Sequence, residues 1–194
     1  MFRKIKKEIR IIGFDDSPFS FKDKTTLLIG VVCRGGSQID GVVTTRITVD
    51  GTDSTRKITE SVRNSRHFGQ LRIIMLDGIT FGGFNVVDIR KLHEDTKLPV
   101  LVVISERPDL KSIRKAMKRF DDHEKRWKLM ERAGEIRECE IRNKVIGRKR
   151  IFYQSAGLRD SEAKDILNIT SINSLIPEPV RIAHLIGYGL KGNK

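Results

Sequence analysis

The chain is short of the residues and runs that several protein classes need. Two of its 194 residues are cysteine, Cys33 and Cys139, too few for a disulfide framework or a thiolate zinc cluster. Cys33 lies in an apolar run and reads as a small core residue, which suits a reducing, intracellular setting. The histidines, His67, His93, His123 and His184, form no pair at zinc-site spacing and have no cysteine partners, which argues against zinc. No apolar run approaches the length of a membrane span, so no membrane partner is expected. The basic start, Met1 to Arg10, is followed by only a short apolar stretch that ends at Asp15. A signal-peptide h-region is therefore missing, and a cytoplasmic protein is expected. The glycine-containing loop from Gly78 to Asn85 lacks a phosphate-loop lysine. No serine or cysteine has a recognisable nucleophile setting. Without repeats, low-complexity tracts or linkers, residues 1–194 are expected to form one domain, long enough to bury a real core.

What the chain does have is positive charge. Lys and Arg number 38 against 25 Asp and Glu, a formal net charge of +13 with a pI near 10.0. So large an excess points to a polyanionic partner, with nucleic acid (DNA or RNA) leading. A generally basic proteome, or ribosome association without catalysis, is the plainer alternative. The densest block, residues 107–150, holds sixteen Lys or Arg against eight Asp or Glu. Within it Leu110, Ile113, Met117 and Phe120 make one helical stripe. Lys115, Lys118 and Arg119 crowd the rest of that helix, either as a solvated face or as contacts to a nucleic-acid backbone.

Two apolar runs stop at aspartate. Ile11-Ile12-Gly13-Phe14 leads to Asp15-Asp16, and Leu71 to Leu76, interrupted by Arg72, leads to Asp77-Gly78. Such runs read as buried strands. If these two strands lie parallel and adjacent, Asp15 and Asp77 meet at one edge of the sheet. Two close carboxylates without a partner repel, and such a pair suits Mg2+ or Mn2+. The competing reading makes both of them turn caps.

Elsewhere, strands are expected at about 26–34 and 39–49, with a hairpin at Gly35-Gly36. A helix is expected over residues 53–68, with Asp53 or Ser54 as its cap. A short helix at about 85–96, a strand at 99–104, a helix at 109–120, a strand at 151–155 and a helix at 161–169 follow. A last helix opens at Pro177-Glu178-Pro179. Three tightly connected strands followed by strands separated by helices imply a mixed α/β sheet with helices on both faces. Prolines at the start of the last helix would aim Arg181 at a phosphate, or at a carboxylate that pins this helix to the sheet. His184, nearby, is read as a core or surface histidine, with a site-facing role as the alternative.

Ser155-Ala156-Gly157-Leu158-Arg159, a helix, and then Pro177-Glu178-Pro179-Val180-Arg181 resemble the C-terminal signature of endonuclease V. Gly13-Phe14-Asp15 and Leu76-Asp77-Gly78 resemble its metal-binding aspartate motifs. The wording Val49-Asp50-Gly51-Thr52-Asp53 and Asp77 to Asn85 is closer still to an uncharacterised, mainly archaeal, endonuclease V-like family. The resemblance implies a ribonuclease H-like fold: three antiparallel strands, then parallel βα units, with the first and fourth strands parallel neighbours. It also implies a Mg2+- or Mn2+-dependent phosphodiesterase, with Asp15 and Asp77 holding the ion and Asp53 or Asp16 assisting. Arg159 and Arg181 would join the basic block in holding the backbone. Asp53 stands where endonuclease V has the glutamate of a Phe-Arg-Glu motif, and is either a ligand or only a helix cap. The Pro-Tyr-Ile-Pro wedge, the histidine of the Gly-His-Arg turn and the lysine after the fifth strand have no match here. On the same fold, a catalytically inactive nucleic-acid-binding protein or, further off, a protein-interaction module would account equally well for the charge.

Overall fold

Two nearly continuously buried strands and a more exposed edge strand start the architecture. In the computed structural model, which describes residues 5–191, β1 (Arg10–Asp16), β2 (Thr25–Arg34) and β3 (Gln38–Thr48) form an antiparallel meander. The expected hairpin falls at Gly35, whose φ of +55° and close approach to the Lys7 carbonyl leave no place for a side chain. Next come α1 (Ser54–Arg63), β4 (Ile73–Asp77), the short β5 (Thr80–Phe81) and β6 (Asn85–Val86), and α2 (Ile89–Thr96). They lead to β7 (Val100–Ile104), α3 (Leu110–Met117) and α4 (His123–Arg132). The chain closes with β8 (Arg137–Asn143), β9 (Gly147–Ala156), α5 (Asp160–Thr170) and α6 (Glu178–Lys191).

The main sheet has seven strands in the order β3-β2-β1-β4-β7-β9-β8. β1, β4 and β7 run parallel, with Gly13 beside Met75 and Phe14 beside Leu76. Because side chains alternate across a strand, β1 feeds two cores. Ile12 and Phe14 pack with Ile58 and Val62 of α1 and Leu92 of α2. Ile11, Ile73 and Met75 pack on the other face with Ile166 and Leu167 of α5 and Val180 of α6. All of these side chains are fully buried, each contributing about 1.5–3 kcal/mol. Helices thus cover both faces, as expected.

Several elements depart from expectation. The α1 helix stops at Arg63, and a short 3-10 turn at Phe68–Gln70 replaces its last turns. Asn85–Val86 pairs with Thr80–Phe81 in a two-stranded ribbon, so α2 starts four residues late, where the Asp88 side chain accepts the Lys91 N–H. The α4 helix and β8 have no counterpart among the expected elements. The β9 strand is longer than 151–155 and runs antiparallel to β7, so the parallel βα pattern ends at β7. The α5 helix opens at Asp160, one residue earlier than expected, and its cap is Arg159, whose N–H is held by the Glu162 carboxylate at 2.8 Å. No helix among the described residues is long and apolar enough to cross a membrane.

Candidate metal centre

Asp15 and Asp77 each lie one step beyond the Phe14–Leu76 pair, next to last in β1 and last in β4. Both therefore point to the face that carries α5 and α6. Gly13, two residues earlier on the same face, is what lets α6 reach them. A Cβ there would lie 2.4 Å from the carbonyl carbon of Pro179, so the start of α6 sits directly on β1. From that seat α6 brings His184 Nδ1 to 2.8 Å from Asp15 Oδ2. Ligand atoms of Asp15, Asp77 and His184 all lie within 4.8 Å of one another. The adjacency of the two aspartates is as expected; for His184 it is the alternative reading that matches.

Asp15 is 6% exposed. Burial, then the neighbouring Asp77 and Asp16 carboxylates, push its pKa from 3.8 up to about 7, against hydrogen bonds from His184 and the Asp16 N–H. Burial raises Asp77 as well, and Asp16 adds to that, while His184 opposes it. Two desolvated carboxylates beside an imidazole, with no Lys or Arg among the described residues ion-paired to either, form a donor set that fits a divalent cation.

Asp16 points to the opposite face, where its Oδ2 accepts the Gly82 N–H at 2.7 Å and ties down the loop after β4. Its pKa is raised by burial. Asp53 occupies the N-cap position of α1, but its side chain makes no bond to the first turn of that helix, and it is not part of the cluster. Its Oδ1 accepts from Thr48 N (3.1 Å) and Asn85 Nδ2 (2.7 Å), and its Oδ2 accepts from Thr48 Oγ1 (3.1 Å). The carboxylate thus pins β3 to β6 on the face away from His184.

The expected cationic contacts are also distributed differently. Arg119 pairs with Asp50 at 3.0 Å and lies over the rings of Phe21, Phe84 and Phe120. Arg181 forms a fork with the buried Glu178 three residues earlier, at 3.0 and 2.6 Å. That bridge braces the first turn of α6 and does not run from helix to sheet. Arg159 pairs with Glu162 at 2.8 Å across the start of α5. Lys115 and Lys118 are exposed on and just after α3. Next to the loop after Asp77, a cavity of about 800 Å3 opens between Ile79, Phe84, Ile113, Trp127 and Met130.

A model of the endonuclease dU family matches residues 7–191. A UPF0215 protein of Methanothermobacter thermautotrophicus is 50% identical over 191 residues, which cover 97% of this chain and 91% of that protein. A crystal structure of a protein of unknown function from Archaeoglobus fulgidus superposes with a TM-score of 0.80 at 39% identity, covering 92% of this chain and 96% of that one. Endonuclease V of Ciona intestinalis, solved with an inosine-containing DNA, superposes with a TM-score of 0.57 at 15% identity, over 90% and 82% of the two chains. This last likeness is one of fold. The architecture is ribonuclease H-like, like that of endonuclease V, as the sequence motifs implied.

Proposed function

The chain belongs to the endonuclease dU family, and from that premise we propose that it is a Mg2+- or Mn2+-dependent nuclease acting on DNA or RNA. The observation that carries this reading is the convergence of Asp15, Asp77 and His184 at the edge where β1 and β4 end side by side. Asp15 and Asp77 would hold the ion as anionic oxygen donors, with His184 completing the set through an imidazole nitrogen. That nitrogen favours Mn2+ over Mg2+, which prefers oxygen alone. A bound ion supplies Lewis-acid polarisation and charge neutralisation at a phosphate. The contact of His184 Nδ1 with Asp15 Oδ2 holds the half-exposed imidazole beside the carboxylate pair. Asp16 assists from behind by holding the Gly82 loop, which shapes the approach beside Asp77.

The test is cleavage of single-stranded, structured, deoxyuridine-containing and inosine-containing nucleic acids with Mn2+ or Mg2+. Activity that survives Asp77→Asn at wild-type rate would refute the assignment. A second reading, nucleic-acid binding without cleavage, is favoured by one observation: the Asp53 carboxylate is spent on Thr48 and Asn85. Calorimetric titration with Mn2+ separates the two, because a binding protein without a metal site gives no heat.

A further inference from the structure

On the α6 side of the carboxylate cluster lies a second, polar cavity of about 400 Å3, lined by Ser17, Lys24, Thr26, Arg46 and Lys191 among others. Its cations, Lys24, Arg46 and Lys191, face a single carboxylate, Asp23, which lies 3.6 Å from Lys191 Nζ. Ser17 follows Asp15 by two residues and so points to the same face. It abuts α6 at Gly187, where a Cβ would lie 3.2 Å from Ser17 Oγ and 3.4 Å from the Asp16 carbonyl. Gly187 is three residues past His184. The inner wall of this cavity is therefore built from the same two segments that carry Asp15 and His184.

Ser17 is 5% exposed, and its hydroxyl is the buried side-chain polar atom without a hydrogen-bond partner among the described residues. Buried polar groups are normally satisfied. Neighbouring Thr26, by contrast, donates its hydroxyl to the Ser17 carbonyl at 2.9 Å. Cations and an unsatisfied hydroxyl lining one polar hollow are the chemistry of an anion site. One turn from His184, Tyr188 is 57% exposed, with its ring 6.0 Å from the imidazole.

We propose that this cavity is a phosphate-binding subsite. It would hold the backbone of the nucleic-acid strand that reaches the Asp15–Asp77–His184 cluster, with Tyr188 stacking a base between the two. Lys24 and Arg46 supply the charge and Ser17 the hydroxyl donor. The path of the strand rests on the nuclease reading; the anion site does not.

The experiment is binding of a labelled single-stranded oligonucleotide in EDTA, titrated over a range of salt. The Lys24→Ala/Arg46→Ala double variant should lower the slope of log affinity against log salt by about 0.7 for each phosphate it no longer neutralises, which is about fivefold in affinity at 0.1 M salt. Ser17→Ala should weaken binding while the melting temperature holds or rises, since an orphan hydroxyl is removed. Lys57→Ala, on α1 and the opposite face of the sheet, should leave the slope unchanged. A slope unaltered in the double variant, or lowered equally by Lys57→Ala, overturns the subsite. Because EDTA removes divalent ions, a wild-type protein that fails to bind Mn2+ overturns the nuclease reading without touching this result.

Discussion

Replacing Asp15 by asparagine should make the metal-free protein more stable. In the folded chain Asp15 gives up its proton near pH 7 instead of near 3.8. That difference is worth about 4 kcal/mol once both states are ionised. Asparagine removes the charge and its repulsion with Asp77, but it also weakens the bond to His184 that a charged acceptor makes strong. A net gain of about 1–3 kcal/mol at pH 8 is therefore expected. The sign follows from which state holds the proton. Below about pH 4 folded and unfolded Asp15 are both protonated, and the substitution is close to neutral. Between about pH 4 and pH 7 the unfolded chain ionises first, so the wild type loses stability relative to the variant; above about 7 the difference is flat. Urea unfolding in EDTA at several pH values measures this directly. Adding Mn2+ should then reverse the order, since saturation at a hundred times Kd adds about 2.7 kcal/mol to the wild type and little to the variant. A variant that is less stable at every pH, or that responds to Mn2+ as the wild type does, would show that Asp15 is a structural acceptor and no ligand.

Three further outcomes are expected. Gly13→Ala should cost about 1–3 kcal/mol, because the new methyl must push the backbone of Pro179 away; Mn2+ affinity should fall with it as His184 moves off Asp15, and calorimetry checks both. Arg181→Lys should lower stability by about 1–3 kcal/mol by breaking the fork to buried Glu178; oligonucleotide affinity per folded molecule should stay unchanged, and an altered salt slope would show instead that Arg181 touches phosphate. Asp53→Asn should leave Mn2+ affinity within about twofold while costing about 1 kcal/mol, since only part of its hydrogen bonding to Thr48 and Asn85 survives; tenfold weaker Mn2+ binding would make Asp53 a ligand after all.

The sequence was most informative where burial and period agree. β1, β2, β4 and β7 are apolar runs bounded by turn residues, and they lie where those runs suggest. The parallel adjacency of β1 and β4 came from the resemblance, because spacing alone does not order strands. The β5–β6 ribbon was invisible because two-residue strands carry no period. The α4 helix buries little beyond Arg126, so its apolar stripe is faint. In β8 the alternation of Cys139 and Ile141 was present but swamped by charge. The cationic candidates show a different limit. Whether an arginine meets solvent depends on acids far away in the chain: Arg119 finds Asp50, 69 residues off. His184 was equally remote, joined to Asp15 only by the way Gly13 seats α6.

That last contact also sets a schedule. Asp15 and His184 are 169 residues apart, and at about 5–20 residues per second a ribosome needs roughly ten to thirty seconds to pass from one to the other. Once Asp77 has followed Asp15, the nascent chain carries both aspartates but not the His184 imidazole, and α6 does not yet cover the edge of the sheet. The Asp15–Asp77–His184 cluster is thus completed only once α6 has emerged, and until then the two carboxylates stand without their imidazole neighbour.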